Sequence, residues 1–295
     1  MASFTSWLHK ILPYTVERKL RIYLDRYWRQ YKVEDLPPAI YSDALAKKSI
    51  SFCTNCMNRL YHLRHTVEKN IKANQDYPNV EFVLMNYNSG DGMHEWVQKH
   101  LMNYIESGIL NYYYTGDPQY FHMSKAKNLA HRLAKGDIVC NLDGDNFTGM
   151  DFAFYINYMF NKCGDEIILR FNKPQFSGTE GRIVLTRKNF EKLGGYDESF
   201  YPAGYQDFDL IDRAKAMGLA FENIEIENFL RYLSNTIQEK STGLSAKKID
   251  FHNYRELNRL KSVENLNAGK LISNTGTEWG KVKVYKNFST EPFLY

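Results

Sequence analysis

Residues 137–146, Asp-Ile-Val-Cys-Asn-Leu-Asp-Gly-Asp-Asn, decide how the rest of the chain is read. Ile138 to Leu142 form a short apolar run bounded by polar residues, the pattern of a buried strand. Its exit carries two carboxylates, Asp143 and Asp145, separated by Gly144. Alternate residues leaving a strand project to the same side, and open α/β sheets bind ligands at the carboxyl ends of their strands. Two carboxylates placed there suit a hard divalent cation, which in turn grips a diphosphate. A solvated Asp-Gly turn has the same sequence, so the flanking chain must discriminate between the two.

Upstream, the rhythm from Ser49 is strand, polar loop, helix. Strands are expected at Ile50–Cys53, Val80–Met85 and Leu110–Tyr114, with helices over Arg59–Ala73, His94–Ser107 and Ser124–Ala134. Asn86 to Gly92 form the polar exit of the second strand, and Gly136 closes the helix before Asp137. Strands alternating with helices argue a doubly wound, mostly parallel α/β sheet with helices on both faces. Downstream, Glu166–Phe171 and Arg182–Thr186 read as strands around a Gly-containing loop, with helices at Lys188–Leu193 and Asp207–Met217. Residues 219–295 thin into short segments rich in Asn, Lys and aromatics, an irregular C-terminal region. The pattern divides into a segment 1–48, a main domain 49–262 with halves 49–146 and 147–262, and an extension 263–295.

The chain of 295 residues carries a net charge of +4, too small and scattered to argue for nucleic acid. Its 22 Tyr and 18 Phe supply core material, some of it available for carbohydrate surfaces. Up to Lys32 there are seven Lys/Arg against Glu17 and Asp25, interleaved with aromatics. That pattern fits a basic amphipathic helix on an anionic membrane surface, and better a helix packed on its own domain or a second subunit. No secretory leader is expected, since His9, Lys10 and Pro13 interrupt the first apolar residues. Cys53-Thr-Asn-Cys56 has redox or half-zinc spacing, but Cys140 and Cys163 form no second close pair. Reduced structural thiols in a cytoplasmic protein, peripheral to the membrane at most, are the expectation.

Between Gly194 and Asp209, sixteen residues hold four acids and three glycines. Glycines let backbone approach a ligand, and an acid at the mouth of a helix can act as general base toward an attacking hydroxyl. Asp207 or Asp209 can equally cap that helix. His252, in Asp250-Phe-His-Asn-Tyr-Arg255, complements two carboxylates around a first-row metal such as manganese.

The order Asn58-Arg59-Leu-Tyr-His62-Leu63, Lys125-Ala-Lys127-Asn128, Asp143-Gly-Asp145, Gly194-Gly-Tyr-Asp-Glu198 to Asp207-Phe-Asp209, and His252 resembles nucleotide-sugar glycosyltransferases of the GT-A fold. The nearest likeness is to the β-1,4-galactosyltransferase type and the galactosaminyltransferase domains of polysaccharide polymerases, over residues 49–262. The resemblance implies that Asp145 with Asp143 and His252 hold Mn2+ or Mg2+. It places Arg59 and Lys127 at a UDP-sugar donor, with Asn128, Asn86, Asp91 and Asp143 on the same side. Asp207 falls at the catalytic base, six residues before a matching Arg213, with Tyr205 and Gln206 at the acceptor. The family's Trp-Gly-x-Glu-Asp reads here Ala203-Gly204-Tyr205-Gln206-Asp207, so the acceptor contacts differ. The implied activity is inverting hexosyl or N-acetylhexosaminyl transfer to a saccharide or lipid-linked glycan in polysaccharide synthesis. Two alternatives are a catalytically weak saccharide-binding or partner module, and a sugar-phosphate nucleotidyltransferase. The latter would carry a Gly-rich phosphate loop where this chain has Cys53-Thr-Asn-Cys-Met-Asn58.

Overall fold

Strand β1 (Ile50–Cys56) lies at the centre of a nine-stranded sheet because it is apolar on both faces. A computed structural model describes residues 36–173, 177–235 and 251–294, without the side chains of 177, 251 and 252. The expected basic helix at residues 1–32 lies outside the described residues, and so does the side chain of His252. β1 pairs in parallel with β2 (Val80–Tyr87) and β4 (Ile138–Asn141), and β2 with β3 (Leu110–Thr115). Outside β4 the sheet turns antiparallel through β6 (Ile183–Thr186) and β5 (Ile167–Phe171), and β5 then pairs in parallel with β7 (Ala220–Ile224). At the other edge β8 (Lys283–Lys286) runs antiparallel to β3 and is followed by β9 (Phe293–Leu294). The parallel block β4-β1-β2-β3 and its antiparallel flank meet at β4, the strand that ends in the two aspartates.

The helices are α1 (Leu60–Asn74), α2 (Met93–His100), α3 (Met102–Glu106), α4 (Met123–Leu133), α5 (Phe152–Cys163), α6 (Arg187–Lys192), α7 (Gln206–Ala216) and α8 (Phe251–Asn267). Strand alternation sends Ile50 and Phe52 to one core, with Leu63 of α1 and Phe152 of α5, and Cys53 to the other, with Leu129 of α4 and Leu210 of α7. On the first face Phe152 meets Phe171 at 4.6 Å and Phe229 at 4.9 Å between ring centroids. Buried asparagines tie this layer to the segment after β4. The side-chain oxygens of Asn70 and Asn74 accept from the backbone N–H groups of Thr148 and Ala153, both at 2.8 Å.

Three features go beyond the sequence reading. The expected helix over His94–Ser107 breaks at Leu101, which leaves helical geometry (φ −122°) and is buried in the first core. The segment after β4 contains α5, absent from the expected elements. The C-terminal region is more ordered than its composition conveys: α8 spans 17 residues, and β8 joins the main sheet through Tyr113–Lys286 and Tyr114–Tyr285. Cys53, Cys56 and Cys140 are buried free thiols and Cys163 is exposed. Burial pushes the Cys56 and Cys140 thiols up to about 12, which favours the neutral thiol near neutral pH. Among the described residues no helix is long and apolar enough to cross a membrane.

His122 and His131, both on or beside α4, are held neutral by burial, which pushes each from 6.5 down to about 4. The unfolded chain binds more protons than the folded one between those two values, so stability rises with pH there. Stability is therefore expected to be complete above pH 6.5 and to fall as the pH drops toward 4. His131→Phe keeps the ring stacked on Phe190 (4.7 Å) and should make that decline shallower in urea titrations across the same range.

Candidate active site

The turn after β4 is closed by the Asn146 N–H on the Asp143 carbonyl at 2.9 Å. The Asp-Gly turn is therefore real, and its carboxylates also line a cavity of about 310 Å³. Turn and site are the same object. Asp143 accepts from the Asn141 amide at 3.0 Å, and that amide also holds the Gly181 carbonyl at 2.7 Å. Asp145 accepts from Asn146 at 2.7 Å and from Asn235 through its other oxygen. Asn146 is itself held by fully buried Arg182 at 2.9 Å. Residues 231–235 run antiparallel along the turn, with bonds from Phe147 N–H to the Arg231 carbonyl (2.9 Å) and from Leu233 N–H to the Asp145 carbonyl (2.7 Å).

Lys127, on α4, reaches the cavity with only 5% of its side chain exposed. Its ammonium lies 2.7 Å from Asp207 and 3.7 Å from Asp143. Burial alone would lower the lysine; the two carboxylates overcome this and hold it above 10.5, hence charged. Burial pushes the Asp207 carboxyl above 3.8, opposed by Lys127 and reinforced by Asp143. Its second oxygen accepts from the Gln206 amide at 3.1 Å.

Asp207 is the second residue of α7, whose N-cap is Tyr205 with no side-chain capping bond. Helix capping therefore does not account for Asp207 or Asp209. Asp209 instead pairs with buried Arg213 at 2.8 Å and accepts from Ser262 at 2.8 Å. Arg213 donates onward to the carbonyls of Leu193 and Gly195, both at 2.8 Å, which fixes the glycine block beneath the site.

Asp143, Asp145, Arg59, Lys127, Tyr205, Gln206 and Asp207 thus line one cavity. Asn86, Asp91 and Asn128 do not. Asn86 is fully buried, donating to the Tyr112 hydroxyl (2.8 Å) and accepting from Ser89 N–H (2.8 Å). Asp91 accepts from Leu60 N–H at 2.7 Å and so caps α1 from a neighbouring loop. Asn128 is fully buried and locks Tyr196, through bonds of 2.8 Å to its carbonyl and from its N–H. Polar residues at strand exits and helix starts serve backbone closure as readily as ligands, which is why spacing alone did not separate them. His252 lies in the first turn of α8, but its side chain falls outside the described residues. Among the described residues, no group of three or more His, Cys, Asp or Glu could hold a metal.

Glu180, Gly181, Phe208, Arg255 and the 232–235 segment also line the cavity, and the sequence did not single them out. Gly181 had one signal, a glycine just before a strand in an otherwise irregular loop. It does not need glycine for a left-handed backbone. A Cβ there would lie 2.8 Å from Asp143 Oδ2 and 3.2 Å from both Asp207 Oδ2 and Lys127 Nζ. Glycine preserves the space among three charged groups.

Residues 162–234, from the end of α5 through β7 to the strand-like segment, match the family described as the N-terminal domain of galactosyltransferase. A comparison with curated protein sequences finds no match. The mannosyltransferase PcManGT from Pyrobaculum calidifontis, in complex with GDP-Man and Mn2+, superimposes with a TM-score of 0.54 at 15% identity, over 86% of this chain and 79% of that one. S. aureus TarS 1-349, in complex with UDP-GlcNAc, gives 0.55 at 14% identity, over 74% and 67%. GalNAc-T7, with UDP, GalNAc and Mn2+, gives 0.52 at 15% identity, over 65% of this chain and 45% of that one. The fold is the GT-A fold of nucleotide-sugar glycosyltransferases.

Gly181→Ala is expected to keep the melting temperature close to wild type, because the atoms it meets are the far ends of side chains and not backbone. A crystal structure of the variant should show the Asp143 and Asp207 carboxylates displaced from the cavity centre. Unmoved carboxylates would mean that the space has no bearing on their arrangement.

Proposed function

We propose that this chain is a metal-dependent, inverting glycosyltransferase moving a hexose or N-acetylhexosamine from a UDP-sugar to a saccharide acceptor. The observation that carries this reading is the meeting of Asp143, Asp145, Lys127 and Asp207 in one cavity, on a GT-A fold. Asp143 and Asp145 provide the oxygen donors that manganese or magnesium takes, and Asn141, Asn146 and Asn235 hold those carboxylates in place. His252, implied as a further ligand, begins the helix that also brings Arg255 to the cavity. The bound cation would neutralise charge growing on the departing diphosphate.

Lys127 and Arg59, both lining the cavity, donate to the phosphates or the nucleotide. Asp207 takes the proton of the acceptor hydroxyl. The hydroxyl oxygen forms its bond to the anomeric carbon as the carbon–oxygen bond to the diphosphate breaks on the opposite face, which inverts the centre. A carboxyl raised by burial is a stronger base than an exposed one. The Gln206 amide holds its second oxygen at 3.1 Å, limiting rotation of the carboxylate.

Asp207→Asn preserves shape and is expected to retain donor binding while transfer falls about 10²–10⁴-fold, the usual loss for a general base. Near-normal turnover would remove Asp207 from the chemistry. Calorimetric titration with UDP should show manganese-dependent binding that Asp145→Ala abolishes. Binding indifferent to both manganese and Asp145 would count against the metal site.

A further inference from the structure

One cation lining the cavity has no part in the transfer chemistry proposed above. Arg255 of α8 lines the cavity beside Tyr205, Phe208 and Asp207. Its guanidinium carbon lies 5.4 Å from the centroid of the Phe208 ring, within cation–π range. Among the described residues it takes part in no ion pair, whereas Arg259, one turn later, is bound to Glu256 at 2.7 Å. Cationic side chains this close to a site are normally matched by a carboxylate of the protein or an anion of the ligand.

The position of Arg255 is imposed by the fold. Asn258 on the same helix accepts from Tyr201 N–H at 2.7 Å and shares its amide among the carbonyls of Tyr201, Ala203 and Gly204 at 3.1, 3.2 and 2.8 Å. Helix α8 comes so near this loop that a Cβ on Gly204 would lie 2.8 Å from the Arg255 Cβ. Gly204 (φ +87°) and Tyr205 (φ +68°) both take left-handed backbone. That conformation is uncommon for a tyrosine and typical of functional sites. It lays the Tyr205 ring on Phe208, with centroids 5.5 Å apart and planes at 27°. Beside the base stands Gln206, a neutral amide rather than a second carboxylate, which would repel an anion.

We infer that the acceptor carries an oxyanion, a phosphate or a carboxylate near the attacked hydroxyl, and that Arg255 binds it while the Tyr205 and Phe208 rings flank the sugar. The inference rests on the glycosyl-transfer reading and names its substrate class. Arg255 contacts the acceptor's charged group, takes no part in proton transfer, and sets which acceptors are used.

The test compares three acceptors on the full-length protein with manganese and a saturating UDP-sugar: a neutral methyl glycoside, its 6-phosphate and the corresponding uronic acid. Donor hydrolysis without acceptor is measured in parallel and reports the donor reaction alone. The wild type should favour one or both charged acceptors by about tenfold or more in kcat/KM, the scale of one hydrogen bond to a charged group. Arg255→Gln keeps the Cβ and Cγ that pack on Gly204, and should erase this preference while leaving donor KM and hydrolysis unchanged. Arg255→Lys should restore part of it, and high salt should weaken it in the wild type. Equal use of neutral and charged acceptors by the wild type would overturn the inference and leave the glycosyltransferase reading intact. So would a rise in donor KM in Arg255→Gln, which would assign the arginine to the donor diphosphate. Absence of both donor hydrolysis and transfer would instead strike at the glycosyltransferase reading itself, and the acceptor inference would fall with it.

Discussion

Lys127 binds the two halves of this site into one. Its ammonium, almost without solvent, stands between Asp143 at the end of β4 and Asp207 at the start of α7. The first carboxylate belongs to the parallel half of the sheet and the second to the helix that follows the antiparallel flank. Two carboxylates brought together would repel each other in a medium of low dielectric. The buried cation lets them coexist in a cavity small enough for both to face one ligand. Without the lysine the Asp207 carboxylate, 15% exposed, would lose the counter-charge that offsets its burial. Gly181 keeps the centre open, Asn141 holds the Asp143 oxygen nearest the ammonium, and Gln206 holds the Asp207 oxygen that faces Gly181.

A second buried ion pair lies on the same helix as Asp207. Arg213 and Asp209 are each about 1% exposed, and the guanidinium satisfies two carbonyls of the glycine block besides the carboxylate. Full hydrogen bonding is the condition under which a buried charge is tolerated. Asp207 and Asp209 look alike in the sequence, two acids one residue apart at a helix start. They differ because α7 turns Asp207 toward the cavity and Asp209 toward Arg213 and Ser262.

The parallel centre of the fold was legible because its strands are continuous apolar runs with glycine or polar exits. Asp143, Asp145 and Asp207 drew attention as acids at a strand exit and a helix start, and Lys127 only through the family resemblance; the structure brings all four to one cavity. What escaped had a physical reason in each case. Helix α8 is weakly amphipathic, so its seventeen residues look like scattered polar sequence, and Arg255 was hidden with it. Strand β8 carries lysines at both ends and becomes a strand only by pairing with β3. Asn86, Asp91 and Asn128 looked like ligand contacts because asparagine and aspartate satisfy backbone groups with the same atoms they would offer a substrate. The segment 232–235 gave no local signal, since its place beside Asp145 arises from long-range pairing.

The clamp of Asn258 on residues 201–204 has a consequence for engineering. The loop and α8 are separated by more than fifty residues in the chain, yet they are joined by shared hydrogen bonds. Asn258 meets only backbone groups of the loop, so a grafted loop of the same backbone path would keep these bonds, whereas a grafted helix without this asparagine would leave three carbonyls without their donor. Recombination that respects this pairing would keep the asparagine of α8 and the backbone path of residues 201–204. Point changes at Tyr205 or Phe208 would leave this seam untouched.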